Sequence, residues 1–230
     1  MKLSKRLQYI DSMVKSDYSH IWDCCCDHGF LGARLLDREA APHVHFVDIV
    51  PELMDNLRTR LGHFYLESTS SWSTHCLDVA QLPLQQYQGK HLVIIAGVGG
   101  DLMTQFVRDI HNHHPELDID FLLCPVYQQY ALRQQLIDFN FSVIQEKVVE
   151  DNQRYYEILY ISRTSCQANP VGPVGRQMWQ EHNEEQQRVL IRYRDKVLNH
   201  YQRIHSGGKE NVQHIIDAYL AIQIHMEELA

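Results

Sequence analysis

The sequence predicts an α/β fold: a mostly parallel sheet covered by helices on both faces, ending in an antiparallel hairpin and followed by an antiparallel helical hairpin. Three features predict this. Short apolar runs at residues 20–26, 44–49, 92–96 and 121–124 alternate with helical patterns near 31–39, 51–66, 101–114 and 129–139, the series expected of a parallel sheet. The runs are apolar throughout rather than alternating, as strands buried on both faces are. Residues 141–149 and 155–162 are β-rich and joined by the short polar stretch 150–154, with no helix between them, so they form a hairpin.

Beyond residue 163 the rhythm changes. Asn169-Pro170, Gly172-Pro173 and Gly175 give residues 164–175 the composition of a linker. Leu190, Tyr193, Val197, Tyr201 and Ile204 then recur at three and four residues, one apolar seam of a helix. After Ser206-Gly207-Gly208, a second seam of Val212, Ile215, Tyr219, Ile222, Met226 and Leu229 follows at heptad spacing. The expected organisation is a domain over residues 1–163, a linker over 164–175 and a coiled-coil-like helical hairpin over 176–230. Such a seam packs within one chain or between two, which leaves a monomer and a homodimer through this hairpin both open.

With 230 residues, 44% of them hydrophobic and 22% charged, the chain has an ordinary globular composition. It is long enough to bury roughly 70% of its unfolded surface without disulfides or metal. No apolar run approaches the roughly 20 residues of a membrane helix. The basic N-terminus is followed by Gln8, Asp11, Ser12 and Lys15, not by the apolar stretch of a signal peptide. Six cysteines without paired spacing point to a reducing cytoplasm. Cys24, Cys25 and Cys26 are consecutive strand residues facing alternate sides, and Cys76, Cys124 and Cys166 lack Cys-x-x-Cys spacing, so no metal site is expected. A formal net charge of −8 makes the chain as a whole a poor match for nucleic acid, and neither DNA nor a membrane is an expected partner.

Nucleotides bind α/β sheets at the carboxyl ends of the strands, where the strand order reverses. The first strand runs into Asp23-Cys24-Cys25-Cys26-Asp27-His28-Gly29, and the second ends in Asp48, about 25 residues beyond Asp23. An acid there is placed to accept both hydroxyls of a ribose. Asp78 falls where a third strand ends, in reach of an adenine amine. Each acid alone reads more readily as a helix cap than as a ligand, whereas three at successive strand ends favour a nucleoside site. The first turn lacks Gly-x-Gly and no phosphate-gripping lysine follows it, so S-adenosyl-L-methionine fits better than NAD or ATP. The fourth strand ends in Ile95-Ala96-Gly97-Val98-Gly99-Gly100, whose glycines serve either close approach to a ligand or a tight turn into the helix at Asp101.

These residues resemble a known family, the bacterial tRNA (adenine-22-N1)-methyltransferases, with a Rossmann-like class I methyltransferase sheet and a C-terminal helical hairpin. Leu3-Ser4-Lys5-Arg6-Leu7 is similar to the family's opening. Asp23, Asp27, His28 and Leu31 match its first cofactor loop, Ile95-Ala96-Gly97-Val98-Gly99-Gly100 its glycine signature, and Glu150-Asp151 with Tyr156-Glu157-Ile158-Leu159 its closing hairpin. Gly172-Pro173 sits where the family's helical extension begins. Two positions depart: the loop glycine is Cys25, and the family's Gln-Pro-Asn after the fifth strand is Cys124-Pro125-Val126.

The resemblance implies S-adenosyl-L-methionine as cofactor, held by Asp23, Cys25, Asp27, His28, Gly29, Asp48, Ile49, Asp78, Val79, Ala96, Gly97 and Gly99. It implies methylation of adenine N1 in tRNA, with Asp27, Val98 and Pro125 about the reacting atoms. N1 carries a lone pair, so the work is alignment and stabilisation of a cationic product; Asp27 suits the second task, or else serves as a structural partner of the turn. Val126 and Cys25 keep a different RNA or small-molecule substrate open, as well as a degenerate member that binds without turnover. On the first C-terminal helix Arg188, Arg192, Lys196 and Arg203 fall within about an 80° arc opposite the apolar seam. Glu181, Glu184 and Glu185 precede them, as the helix dipole prefers. With Lys2, Lys5 and Arg6 this stripe is the expected phosphate-tracking surface, although a plain solvated face has the same pattern.

Overall fold

The structure is a computed structural model that describes residues 3–66, 68–163, 169–180, 183–208 and 211–224. Ser4 accepts the Leu7 N–H and caps α1 (Lys5–Met13), which buries Ile10 and Met13. This helix carries few apolar residues, and the sequence pattern does not announce it. Then β1 (His20–Cys24), α2 (Phe30–Asp37), β2 (His43–Asp48), α3 (Pro51–Phe64), β3 (Ser71–Cys76), β4 (His91–Ala96), α4 (Gly100–His113), β5 (Ile119–Cys124) and α5 (Gln129–Asp138) follow in alternation. Strands β6 (Ser142–Asp151) and β7 (Arg154–Ser162) close the sheet.

The strand order is β3-β2-β1-β4-β5-β7-β6. Strands β1 to β5 are parallel, and β7 lies antiparallel between β5 and β6. The chain winds outward from β1 to β3, then returns to β4 on the other side of β1, so the crevice opens between β1 and β4. The hairpin turn is tighter than its polar stretch suggests: Asn152 and Gln153 both take positive φ, 51° and 62°, a two-residue turn of the twist that hairpins favour.

Each face of the sheet has its own core. Ile21, Val44, Phe46 and Ile94 pack under α1, α2 and α3 through Ile10, Leu35, Met54 and Leu57. Trp22, Cys24, Val93 and Ile95 pack under α4 and α5 through Met103, Val107, Leu132 and Leu136. Over β1 and β2 that second face meets the segment 77–90, whose only helical pieces are the 3-10 turns Val79–Gln81 and Leu84–Gln86.

The described part of the expected linker is no free tether. Asn169 accepts the Val143 N–H at 2.7 Å, Val171 donates to Phe141 at 3.2 Å, and the Val171 side chain is buried. Beyond it a 3-10 turn (Gln177–Trp179), α6 (Glu184–Ser206) and α7 (Gln213–Leu220) form a third cluster with Val148 of β6. Leu190 and Tyr193 of the first seam and Val212, Ile215 and Tyr219 of the second are buried in it. This stretch of the second seam is therefore covered within the chain; Met226 and Leu229 lie outside the described residues. No described helix is long and apolar enough to cross a membrane.

Candidate active site

The loop leaving β1 is built from left-handed residues. Cys25, Asp27 and Gly29 have φ of 56°, 50° and 68°, which folds the chain back so that Gly29 donates to the Cys26 carbonyl at 2.7 Å. Below the loop Asp23 is buried and accepts the Gly32 N–H of α2 at 2.8 Å. Burial pushes its carboxyl up to about 7, against the opposing pull of that hydrogen bond. Asp48 spans the gap between two strand ends, accepting the Asp27 N–H and the Val50 N–H, each at 3.1 Å. Asp78 accepts the Ala80 N–H at 2.9 Å and caps the turn that follows, so for this acid the capping role is present. All three acids converge on one thiol: Cys25 is pushed up to about 12, first by burial and then by Asp48, Asp23 and Asp78.

The opposite wall is formed by the ends of β4 and β5, joined by backbone bonds from Gly97 to Cys124 (3.3 Å), Val126 to Val98 (3.0 Å) and Gly100 to Tyr127 (2.9 Å). Gly97 has φ of 92°, a conformation closed to most side chains. A Cβ on Gly97 would point into open space, with the Arg6 guanidinium nearest at 4.0 Å. A Cβ on Gly99 would instead collide with the Tyr127 ring. Tyr127 is 57% exposed beside Val126 and is the residue of this rim that sequence reasoning passes over. Its one signal is an aromatic side chain two positions after Pro125.

The expected cofactor and catalytic residues thus lie at the carboxyl ends of β1 to β5, with some divided between wall and interior. Ile49 projects outward at 65% exposure, whereas the Val79 side chain is buried in the core. Asp27 and His28 are exposed neighbours, 3.7 Å apart. Ala96 ends β4, and Val98 and Pro125 follow β4 and β5 at the rim. The three cysteines are not consecutive strand residues, because β1 ends at Cys24. The left-handed turn at Cys25 carries Cys26 to the opposite core from Cys24, where an unbroken strand would have kept both on one face. Cys166 lies outside the described residues. The β1 turn leads into the N-terminus of α2 at Gly29 without a Gly-x-Gly before it, the acids Asp23, Asp48 and Asp78 stand about it, and the space over Gly97 is open.

The bases expected on α6 lie at the surface. Arg188, Arg192, Lys196 and Arg203 are exposed along α6, and Lys5 and Arg192 border one cavity of about 570 Å³ between α1, β6 and α6. Counter-charges meet them: Arg192 bonds Glu150 at 2.6 Å and Tyr155 at 3.2 Å, and Arg188 lies 3.5 Å from Glu184. Lys196 sits over the Tyr155 ring at 5.2 Å. Arg6 stands apart, its guanidinium 4.8 Å over the Tyr156 ring and turned toward Gly97. Lys2 and Glu181 lie outside the described residues.

Comparison with known proteins agrees with this architecture. No curated protein matches the chain in sequence. Among solved structures, a Streptococcus pneumoniae protein assigned as a tRNA (m1A22) methyltransferase is 18% identical, covers 95% of both chains and superposes with a TM-score of 0.73. M. capricolum TrmK, solved with S-adenosyl-homocysteine, is 17% identical over 96% of this chain and 92% of its own, with a TM-score of 0.71. The B. subtilis m1A22 tRNA methyltransferase TrmK is 16% identical over 95% and 94%, with a TM-score of 0.64. The family model described as a methyltransferase domain matches residues 3–159, from the first described residue to the middle of β7. The chain belongs to the methyltransferase domain family, with its candidate site in the crevice between β1 and β4.

Proposed function

We propose that this chain transfers the methyl group of S-adenosyl-L-methionine to N1 of an adenine in tRNA. The observation that supports this best is the reach of the structural likeness: proteins described as m1A22 tRNA methyltransferases match over 95% of the chain, the C-terminal helices included. Bound, the cofactor supplies an electrophilic methyl on a sulfonium. Asp48 would accept from the ribose hydroxyls, the turn of Asp23, Cys25, Asp27, His28 and Gly29 would hold the amino-acid tail, and Asp78 with Val79 would take the adenine. Gly97 leaves room along the floor, flanked by Ala96 at the end of β4 and by Gly99, whose missing side chain lets the Tyr127 ring pack on the backbone.

Adenine N1 needs no base to become a nucleophile, so catalysis rests on alignment, for which oriented models give up to roughly 7–11 kcal/mol. Val98, Pro125 and the Tyr127 ring form the wall against which the target base aligns. Methylated adenine is cationic, and the exposed Asp27 carboxylate beside the crevice stabilises that charge. Lys5, Arg6, Arg188, Arg192, Lys196 and Arg203 hold tRNA by its phosphates, a substrate that belongs to the cytoplasm. Val126 favours a second reading, another RNA or a small molecule, because an apolar side chain stands where the resembling family carries an asparagine.

Incubation with radiolabelled S-adenosyl-L-methionine and total tRNA, followed by nucleoside analysis, separates these readings. Label in 1-methyladenosine is expected. Label in another nucleoside or only in small metabolites favours the second reading, and absence of cofactor binding by calorimetry means a degenerate site.

A further inference from the structure

At the amino ends of the strands, remote from the crevice, the sheet face beneath segment 77–90 carries a cluster of rings that methyl transfer does not use. His20 opens β1, His43 opens β2, and the two are paired in register. His45 lies two residues along β2 and so on the same face. One ring nitrogen from each of the three falls within 4.8 Å of the others. His20 Nδ1 and His45 Nε2 are 3.1 Å apart. Two imidazole nitrogens on a tetrahedral zinc, each bound at roughly 2.0–2.1 Å, stand about 3.3 Å apart, so this pair already has the spacing of two ligands.

Each ring is also oriented from outside the cluster. The Gln88 carbonyl, 3.2 Å from His20 Nε2, accepts its N–H and leaves the lone pair on Nδ1, facing inward. His45 Nδ1 lies 3.0 Å from His75 Nε2, and His43 Nε2 lies 2.9 Å from Ser73 Oγ. Ligating histidines are held in this way, by an outer partner that fixes ring and tautomer. Trp22 stacks on His45 with centroids 3.7 Å apart, and Tyr87 meets its edge at 4.6 Å. His45 is fully buried while His20 and His43 are half-buried, which gives an ion a path from solvent. The set is all imidazole with no carboxylate, a donor chemistry for zinc, nickel or copper rather than magnesium or calcium.

We propose that His20, His43 and His45 bind a divalent transition-metal ion of the zinc class, with water in the fourth position, and that the ion clamps β1 to β2. Coordination takes His45 in the tautomer that carries its proton on Nδ1, donated to His75 Nε2. The site is separate from the cofactor crevice and independent of the substrate assigned above.

The test is calorimetric titration of the full chain with Zn²⁺ alone, after removal of metal by chelator. One ion per chain is expected, bound at micromolar affinity or tighter. His20→Gln and His43→Gln should each weaken binding at least tenfold while S-adenosyl-L-methionine still binds, which reports an intact fold. The exposed His63→Gln and His205→Gln should leave Zn²⁺ affinity unchanged. Failure to bind one ion, or equal affinity in the His20 and His43 variants, overturns the proposal. Co²⁺ absorption of the unaltered chain gives an answer that does not depend on any variant folding: tetrahedral bands without sulfur-to-metal charge transfer support the site, and a charge-transfer band assigns the ion to a cysteine instead.

Discussion

Asp23 concentrates the tension of the candidate site in one side chain. It sits wholly out of water, with the Gly32 N–H and no cation among its bonded partners, and its carboxyl titrates near 7 instead of near 3.8. The unfolded chain releases this proton near pH 4, whereas the folded chain keeps it to about pH 7. Between those values the folded state binds more protons, so the Asp23 contribution to stability falls as pH rises, by up to about 1.4 kcal/mol per pH unit. Asp23→Asn keeps an acceptor for Gly32 and removes the titration. Denaturant melts of both proteins across this window should show the variant gaining on the parent as pH rises. A gap that does not change with pH would mean that Asp23 is ionised throughout. Its place near a strand end is legible in the sequence, because the run over residues 20–26 leads straight into Asp27-His28-Gly29 and a helical pattern. Its burial is not, since that depends on α2 returning over the loop. Cys25 is similar: the resemblance marks it as a departure, and φ of 56° shows what the family's glycine would supply there.

Among whole elements, those with strong periodicity are the legible ones. The apolar runs of β1, β2, β4 and β5 declare themselves because both faces are covered. Ser71–Cys76, reading Ser-Trp-Ser-Thr-His-Cys, does not, because an edge strand needs little apolar surface. Arg133 shows a harder case. On sequence it is one polar residue of a helix; in the fold it is fully buried, bonded to Glu157 at 2.7 Å and Glu146 at 2.8 Å. Glu146 also accepts the N–H groups of Arg176, Gln177 and Met178, and Glu157 accepts the Tyr193 hydroxyl. One guanidinium thus connects α5, β6, β7, the 3-10 turn and α6. Arg133→Met would leave two buried carboxylates facing each other, a loss of about 3–5 kcal/mol. Thermal unfolding should drop by many degrees, and residues near α6 should lose hydrogen-exchange protection before the central strands do. Unchanged stability would mean that the acids take up protons and repack. No sequence pattern carries this network, because its members lie on five elements. The histidine cluster escapes for the same reason: in a chain with 15 histidines, only strand register selects three.

Across the molecule as a whole, charge decides how a −8 chain would meet the tRNA proposed as its substrate. The total averages acids of the cofactor crevice with a basic stripe that lies on another surface, and the fold keeps the two apart. It also places Lys5 of α1 on the same cavity as Arg192 of α6, joining groups that are almost the length of the chain apart. Arg192 is not idle, since Glu150 holds it at 2.6 Å, and a phosphate must share or displace that carboxylate. Two substitutions of opposite sign follow. Replacing Arg188, Arg192 and Lys196 with glutamate should weaken tRNA binding, and the slope of log affinity against log salt should fall by about one for each phosphate no longer neutralised. Glu150→Gln should strengthen tRNA binding by releasing Arg192, at little cost in stability because exposed ion pairs contribute only about 0–1 kcal/mol. Cofactor affinity should stay constant in both, since neither set of residues borders the crevice. Filter binding of tRNA over a range of salt concentrations measures the first quantity, and calorimetry measures the second. If Glu150→Gln weakened tRNA binding, Arg192 would need its partner for orientation. The stripe would then act as a positioned set of donors rather than as a field of positive charge.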